Sequence, residues 1–566
     1  MPTAESDLRA PDWFRNVVFY ELSVRTFYDS NGDGIGDLPG VTEKLDYLSD
    51  LGVGAIWLLP FYTSPWRDDG YDVSDHYSVD PRLGTVEDLD RLVEAAHARG
   101  IRVIGDLVAN HVSDQHPWFQ EARKSRDSPY RSWFLWSDTG KEFSNARLIF
   151  PDFEKSNWTW DEVAGQYFFH RFFRWQPDLN YDTSAVRGEI LRYARFWLGH
   201  GLDGFRCDAV PYLYKREGTT CANLPEVHQF YRDLRSVMDA EYHGTVLVSE
   251  ANGTIAETVA YFDQSHEFPM VMNFPLMPNV FLGFAEKNPR RILDVVRATL
   301  PGVPPDCGWA YFLRNHDELT LERMSEDERA LFFRELNLNP SARVNSGVRR
   351  RLAPLLGGSD ASVLLLTGLI LALPGAPFLY YGDEIGMGDR LDLGDRDAVR
   401  TPMQWSNGAN AGFSTAPPER LTRPLVTDPA FAPSARNVVD EEAQGGSLLA
   451  KMRAMLRVRA AHAAVFGSDA FEGVDLGNEP IFGFWRAGGE YHLLCLYNFD
   501  MKAVEGTIVI PGSLVASPVE LLRGGVSSTV GGRNFRFRLA PRAFSWTMFL
   551  ARRERGAPKR AAPTGG

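Results

Sequence analysis

Five acids stand at the ends of short apolar runs in this chain: Asp106, Asp208, Glu250, Asp317 and Asp383. Each closes a stretch rich in Val, Ile, Leu, Phe or Tyr, so each is expected at the end of a β-strand. Taken singly, such an acid reads as a helix cap or an ion-pair partner. Taken together, at like ends of different strands and with His and Arg beside them, they have the makings of an acid–base site. In GFRCD (204–208) strand alternation turns Arg206 and Asp208 to the same side. An arginine beside a carboxylate keeps it ionised, as a nucleophile must be. Glu250 ends the apolar run VLVSE, a setting that raises a carboxyl pKa and retains a proton for a leaving oxygen. Two carboxyls with these split roles suit cleavage of a glycosidic bond, and a separation of ~5 Å would give retention of configuration.

Elements that could position these acids are legible along the first 465 residues. Strands are expected at NVVFYEL (16–22), AIWLLP (55–60), IRVIGDLVANH (101–111), GFRCD (204–208), TVLVSE (245–250), VMNFP (271–275), WAYFLRNHD (309–317) and FLYYGDE (378–384). Between them lie stretches with apolar residues at helical spacing. One is Leu38, Val41, Leu45, Leu48 and Leu51 before Gly52; another runs from an N-cap Thr85 through Leu89, Leu92, Val93 and Ala96 to Gly100. Eight strands alternating with helices predict a parallel sheet closed into a (β/α)8 barrel, with catalysis at the C-terminal strand ends. The barrel is assigned to 1–111 and 178–465, with an aromatic insert at 112–177 after strand three and a lid-like Arg/Glu-rich insert at 318–357. Short strands over 466–552 predict a C-terminal β-sandwich, and 553–566 reads as a disordered tail.

Composition narrows the function class. A chain of 566 residues with a net charge of -14 does not suit nucleic acid, whose phosphates need a positive surface. Its 14 Trp, 20 Tyr and 36 Phe are mostly core, though flat aromatic faces also suit sugar rings. Four cysteines make no disulfide framework. The N-terminal MPTAESDLRAPDWF has no signal-peptide pattern, and the apolar run Val363 to Phe378 is broken by Pro374 and Pro377. A soluble cytoplasmic protein with no membrane partner is expected.

With the strand-end motifs on the page, the chain resembles the α-amylase superfamily. DLVANH (106–111), GFRCDAV (204–210), the SEAN around Glu250 and FLRNHD (312–317) look like its four signature regions, and QPDLN (176–180) like the fifth, in the form of the oligo-1,6-glucosidase-like branch. The resemblance spans about Trp13 to Leu550. It implies Asp208 as nucleophile, Glu250 as general acid/base and Asp317 as transition-state stabiliser. His111 and His316 would bind hydroxyls of the −1 glucose and Arg206 would orient Asp208, while Asp68, Tyr71 and Arg400 would close a −1 pocket, so that a terminal glucose is taken. The small Ala209 after the nucleophile implies α-1,4 preference.

Longer stretches, 154–173, 208–226, 312–322, 343–356 and 380–405, look like the trehalose synthase branch, which interconverts maltose and trehalose by intramolecular glucosyl transfer. The chain departs from that branch at Arg174 and Trp175, at Gly253, Thr254 and Ile255, and over 263–275, where an acceptor is expected to bind. Hydrolysis of a small α-glucoside, or transfer to another acceptor, is the alternative. A non-catalytic amylase-like scaffold is remote, because all three acids are kept and no span is present. Related enzymes imply a homo-oligomer paired through the C-terminal region.

DSNGDGIGD (29–37) sets Asp29, Asn31, Asp33 and Asp37 at the alternate positions that wrap a hard cation, although position twelve is Gly40 where a calcium loop has Glu. An Asx-rich turn is the other reading. The resemblance implies structural Ca2+ here, with the Ile35 carbonyl contributing.

Overall fold

The computed structural model describes residues 13–552 apart from 478–479, 516 and 523–525; the tail expected to be disordered (553–566) lies outside the described residues. Eight parallel strands close a barrel: β1 (Phe19–Leu22), β2 (Ala55–Leu58), β3 (Arg102–Leu107), β4 (Gly204–Cys207), β5 (Val246–Ser249), β6 (Met270–Met272), β7 (Gly308–Phe312) and β8 (Gly375–Tyr380). Each pairs with its sequence neighbour, and β1 pairs with β8, so the sheet has no edge. All eight are buried along nearly their whole length, as parallel strands covered by helices must be. β4 requires glycine at its start. Gly204 has φ +145°, and a Cβ there would sit 2.0 Å from the Val246 carbonyl oxygen of β5.

The strands are shorter than their apolar runs, and the difference places the chemistry. β4 stops at Cys207 and β5 at Ser249, so Asp208 and Glu250 are the first residues of the loops above the barrel. β7 stops at Phe312, where the expected strand ran to Asp317. The Asn315 side chain there accepts the Asp317 N–H at 3.2 Å, an Asx turn that ends the extended run. The helical run expected over 38–51 is two helices, Leu38–Glu43 and Leu45–Leu51, meeting at Lys44. The helix Val86–His97 begins with a full capping box of Thr85 and Asp88.

The aromatic insert carries a three-stranded sheet of Trp136–Ser137, Gln166–Phe169 and Trp158–Asp161. The segment after β7 folds into the helix Glu326–Glu335 and a small sheet of Leu319–Thr320, Gly347–Val348 and Arg343–Val344. C-terminal to the barrel are two antiparallel sheets, one of five strands and one of three. They are joined to the barrel through the end of the helix Asp360–Ala372, buried from Ser362 onward, whose last carbonyls lack helical partners. Arg486 donates to the carbonyl of Ala372, and Arg459 to those of Leu371, Gly375 and Arg15. Burial, with repulsion from Arg486, lowers the pKa of Arg459 to about 9, and burial only partly offset by Cys495, Tyr311 and Asp469 lowers that of Arg486 to about 10. Among the described residues all four cysteines are free and buried, and no helix is long and apolar enough to cross a membrane.

Candidate active site

Side chains from β1 to β5 meet inside the top of the barrel around one guanidinium. Register pairs Arg206 of β4 with Asp106 of β3, and alternation turns Arg206 inward, where it is fully buried. Its Nη1 donates to Asp106 Oδ1 at 2.6 Å and to Asp208 Oδ1 at 2.7 Å, while Nη2 lies 2.8 Å from Glu250 Oε1 as an ion contact. One cation thus holds both carboxyls through separate terminal nitrogens. The Trp57 indole of β2 and the Tyr71 hydroxyl donate to the second oxygen of Asp106 at 2.8 and 3.1 Å. Ala209, in left-handed conformation at φ +51°, points its N–H at Glu250 Oε2, 2.9 Å away.

A second cluster holds Asp317. Arg400 Nη2 reaches its Oδ1 at 2.9 Å and Arg396 Nη1 at 2.8 Å; Arg396 Nη2 also reaches Asp68 at 2.5 Å. Gln176 donates to the other oxygen of Asp68 at 2.9 Å. His316 is fixed from below by Glu21 of β1, whose Oε1 accepts its backbone N–H at 3.0 Å and meets its Nδ1 at 2.6 Å. The His316 ring stacks on Tyr71 at 5.2 Å, and its buried Nε2 makes no hydrogen bond among the described residues but lies 3.3 Å from Asp317 Oδ2 as an ion contact.

Asp68, Tyr71, His111, Asp208, Glu250 and Asp317 line one pocket above the barrel, with Phe150 and Phe172 from the insert and Glu318, Thr320, Glu322 and Ser346 from the segment after β7. Arg206, His316 and Arg400 stand immediately behind it, 0–1 % exposed. Asp383 is buried at the end of β8 and does not line the pocket. Sequence reasoning did not select Arg396, although it lies four residues before Arg400 in one short 3-10 turn, Asp395–Val399. Glu21 had a signal too, as a charged residue inside the apolar strand FYEL.

Charge in the site departs from expectation at the nucleophile candidate. Arg206 was expected to keep Asp208 in the ordinary carboxylate range. Burial outweighs Arg206, with Asp106 and Asp317 adding repulsion, and pushes Asp208 up to about 7. Burial likewise carries Glu250 to about 8, against Arg206. Asp317 goes the other way: burial pushes it up, but His316, Arg396 and Arg400 together bring it well below the ordinary range. The three acids are thus ordered with Glu250 the most protonated and Asp317 the most firmly ionised.

The departures from the trehalose synthase pattern are also relocated. Arg174 pairs with Glu154, Trp175 stacks on Phe173 at 4.5 Å, and Thr254 caps the helix Ile255–Ala260. None of these, nor Gly253 or Ile255, lines the pocket; of the divergent segments only 263–275 does, through Phe274.

The loop 29–37 does not line the pocket. Asp29 accepts the N–H groups of Asn31, Gly32 and Gly34 and the Ser414 hydroxyl, which uses the four acceptor positions of a carboxylate. Asp37 caps the helix Leu38–Glu43 by accepting from Gly40, and also accepts from Ser30. Asn31 and Asp33 each accept one backbone N–H. Among the described residues no group of three or more His, Cys, Asp or Glu is arranged to hold a metal. The donors are all oxygen and fit a hard divalent cation in kind.

The family model for the α-amylase catalytic domain matches residues 22–339 and 344–467. The trehalose synthase/amylase TreS of Mycobacterium tuberculosis is 46% identical over 555 residues, 97% of this chain and 92% of that one. TreS of Mycolicibacterium smegmatis is 51% identical over 479 residues, 84% and 80% of the two chains. The crystal structure of trehalulose synthase MutB from Pseudomonas mesoacidophila MX-45 superposes with a TM-score of 0.76 at 27% identity, covering 95% of this chain and 99% of that one. With its barrel closed and its acids gathered at the C-terminal strand ends, the chain belongs to the α-amylase family.

Proposed function

We propose that the protein takes the terminal α-glucose of a small α-glucoside and interconverts maltose and trehalose by intramolecular glucosyl transfer. Asp208 attacks C1 while Glu250 protonates the glycosidic oxygen, giving a β-glucosyl-enzyme and a free glucose in the neighbouring site. The glucose turns, Glu250 takes the proton from its C1 hydroxyl, and that oxygen displaces Asp208, restoring the α configuration in trehalose. Asp317, held ionised by two arginines, faces the positive charge of the oxocarbenium-like transition state. Asp68 and Tyr71 close the −1 pocket, with Arg400 and Arg396 behind them, while His111 and His316 meet the sugar hydroxyls.

The observation that carries isomerisation over hydrolysis is a roof. Arg147 of the insert pairs with Glu322 of the segment after β7, and the Asn345 N–H donates to Asp152 at 2.7 Å. Arg147 and Glu322 line the pocket and Asn345 precedes the lining Ser346, so both ties bind the insert to the segment after β7 at the pocket wall, which hinders escape of glucose and entry of water. Similarity to proteins named trehalose synthase over most of the chain supports the same reading. Maltose incubated with the pure enzyme and followed by proton NMR is expected to give trehalose with little free glucose. Glucose as the main product would replace this reading with an α-glucosidase.

The loop 29–37 is proposed to take a structural Ca2+ through Asn31, Asp33, Asp37 and the Ile35 carbonyl, with Asp29 joining by giving up some of its hydrogen bonds within the loop, remote from the chemistry. Chelation is then expected to lower the thermal midpoint by a few degrees and to leave kcat at 25 °C unchanged. A midpoint indifferent to chelator and to added Ca2+ would mean that the Asx turns alone hold the loop. The free buried cysteines support a reducing, cytoplasmic location.

A further inference from the structure

β1 carries one charged residue, Glu21, in the otherwise apolar run FYEL, and it is 1 % exposed. Register sets it beside Trp57 of β2 and Tyr380 of β8 in the closed sheet. Among the described residues no lysine or arginine pairs with it, and its ion contact is the His316 ring. A carboxyl in such a place is costly unless its polar atoms are used. Glu21 Oε1 is used twice by one residue: it accepts the His316 backbone N–H at 3.0 Å and lies 2.6 Å from His316 Nδ1. The ring is held in that position. Tyr71 stacks on it at 5.2 Å, Trp57 meets it edge-on at 5.7 Å, and Arg400 Nε donates to the His316 carbonyl at 3.0 Å.

Three placements of hydrogen fit an oxygen and a nitrogen 2.6 Å apart. An imidazolium facing a Glu21 carboxylate puts a cation among Arg206, Arg396 and Arg400. Burial, reinforced by those three arginines against Asp317, brings the His316 pKa down to about 3, which disfavours it. A neutral ring with hydrogen on Nδ1 leaves a bare lone pair on Nε2, 3.3 Å from the firmly ionised Asp317, where negative charge repels it. A neutral ring with hydrogen on Nε2 turns that contact into attraction, and its bare Nδ1 then needs a donor. Glu21 is that donor when its carboxyl is protonated, and a hydroxyl oxygen still accepts the His316 N–H. Burial pushes Glu21 well above the usual carboxylate range, Asp317 and Asp106 adding to it against the His316 N–H and Arg206. The third placement alone leaves no contact repulsive.

We propose that Glu21 is a positioning residue: its carboxylic O–H donates to His316 Nδ1 and fixes Nε2 as the ring nitrogen that carries hydrogen. Nε2–H is then a donor, to Asp317 in the empty site and to a hydroxyl of the −1 glucose when sugar is bound. The role towards sugar rests on the α-glucoside reading given above. Two acids thus stand at opposite ends of one imidazole in opposite charge states, Glu21 neutral and Asp317 ionised.

The test reads the ring directly. Wild type labelled with nitrogen-15 at histidine, the His316 signals being those missing from His316→Ala, is expected to show a neutral ring with hydrogen on Nε2 and a bare Nδ1. Hydrogen on Nδ1, or on both nitrogens, would overturn the proposal. Kinetics with 4-nitrophenyl α-D-glucoside give a second arm. In Glu21→Gln the amide N–H donates to Nδ1 and the amide oxygen accepts the His316 N–H, so kcat/KM is expected to stay within about threefold. Glu21→Leu leaves Nδ1 unpaired and is expected to lose about tenfold to a hundredfold, the order seen when the outer partner of a metal-bound histidine is removed. Because Glu21 acts through the ring, the same change should cost less than about twofold once His316 is replaced by Ala. Losses that simply multiply would sink the proposal. Should Glu21→Leu not fold, the nitrogen-15 spectrum and Glu21→Gln decide, and a loss beyond about tenfold in Glu21→Gln counts against it. The spectrum needs no substrate, so failure of the α-glucoside reading shows separately, as no sugar released or rearranged from maltose.

Discussion

Asp208→Asn is expected to lower kcat on maltose by a factor on the order of 10^5 with the fold intact, because the amide cannot form the glucosyl ester. Arg206 keeps Asp106 and Glu250 as partners in that variant, so no buried cation is stranded. Stability should respond with a definite sign. Asp106, Asp208 and Glu250 are all raised in the folded chain, to about 6, 7 and 8. A carboxyl whose folded pKa is raised has its full stability below the unfolded pKa of ~4 and loses it as pH climbs through the folded value. Asp208→Asn removes one such penalty. Its thermal midpoint should exceed that of wild type at pH 8 and converge with it near pH 4 to 5. In wild type the same pair predicts a narrow bell in kcat/KM, rising as Asp208 ionises near 7 and falling as Glu250 ionises near 8, the two values belonging to the coupled pair. Residual activity within about a hundredfold of wild type would move the nucleophile elsewhere.

Arg206→Met is expected to be the most damaging single change to stability near the site. It leaves three carboxyls, those of Asp106 and Asp208 buried and that of Glu250 half-buried, 2.6 to 2.8 Å from the lost guanidinium and facing one another without a cation. Breaking a buried ion network in this way costs about 3–5 kcal/mol. The acids answer by holding their protons to higher pH, so at neutral pH Asp208 is no longer a nucleophile and kcat should fall by about 10^3 or more. Because protonation relieves the repulsion, the deficit against wild type should shrink as pH is lowered from 8 towards 5. Thermal unfolding of both proteins across that range decides it. A variant as stable as wild type at pH 8 would show that the carboxyls do not depend on Arg206.

How much of this was legible depends on whether a residue's role is local. The eight barrel strands appear as apolar runs because each is buried on both faces, and the capping box at Thr85 appears because a helix start is a local event. Asp208 and Glu250 were legible for the same reason, each following its strand directly. What escaped is long-range. Arg396 matters because a turn after β8 swings it between Asp68 and Asp317, 328 residues and 79 residues away. The elevation of Asp208 was missed because the spacing of Arg206 shows the favourable charge and says nothing of burial or of Asp106 arriving from β3. The divergent Arg174 and Thr254 looked like acceptor contacts by their nearness to motifs in the chain, yet they serve an ion pair and a helix cap.

The two arginines at the end of the helix Asp360–Ala372 bear on the order in which the protein is made. That helix leads straight into β8, the strand that closes the barrel, but the guanidinium that satisfies its Ala372 carbonyl is 114 residues further on. A nascent chain that has just finished β8 therefore holds a barrel whose closing element still exposes unpaired carbonyls at its entry. Closure becomes secure only once Arg459 and then Arg486 have left the ribosome, so the C-terminal sheets complete the catalytic domain in time as well as in space.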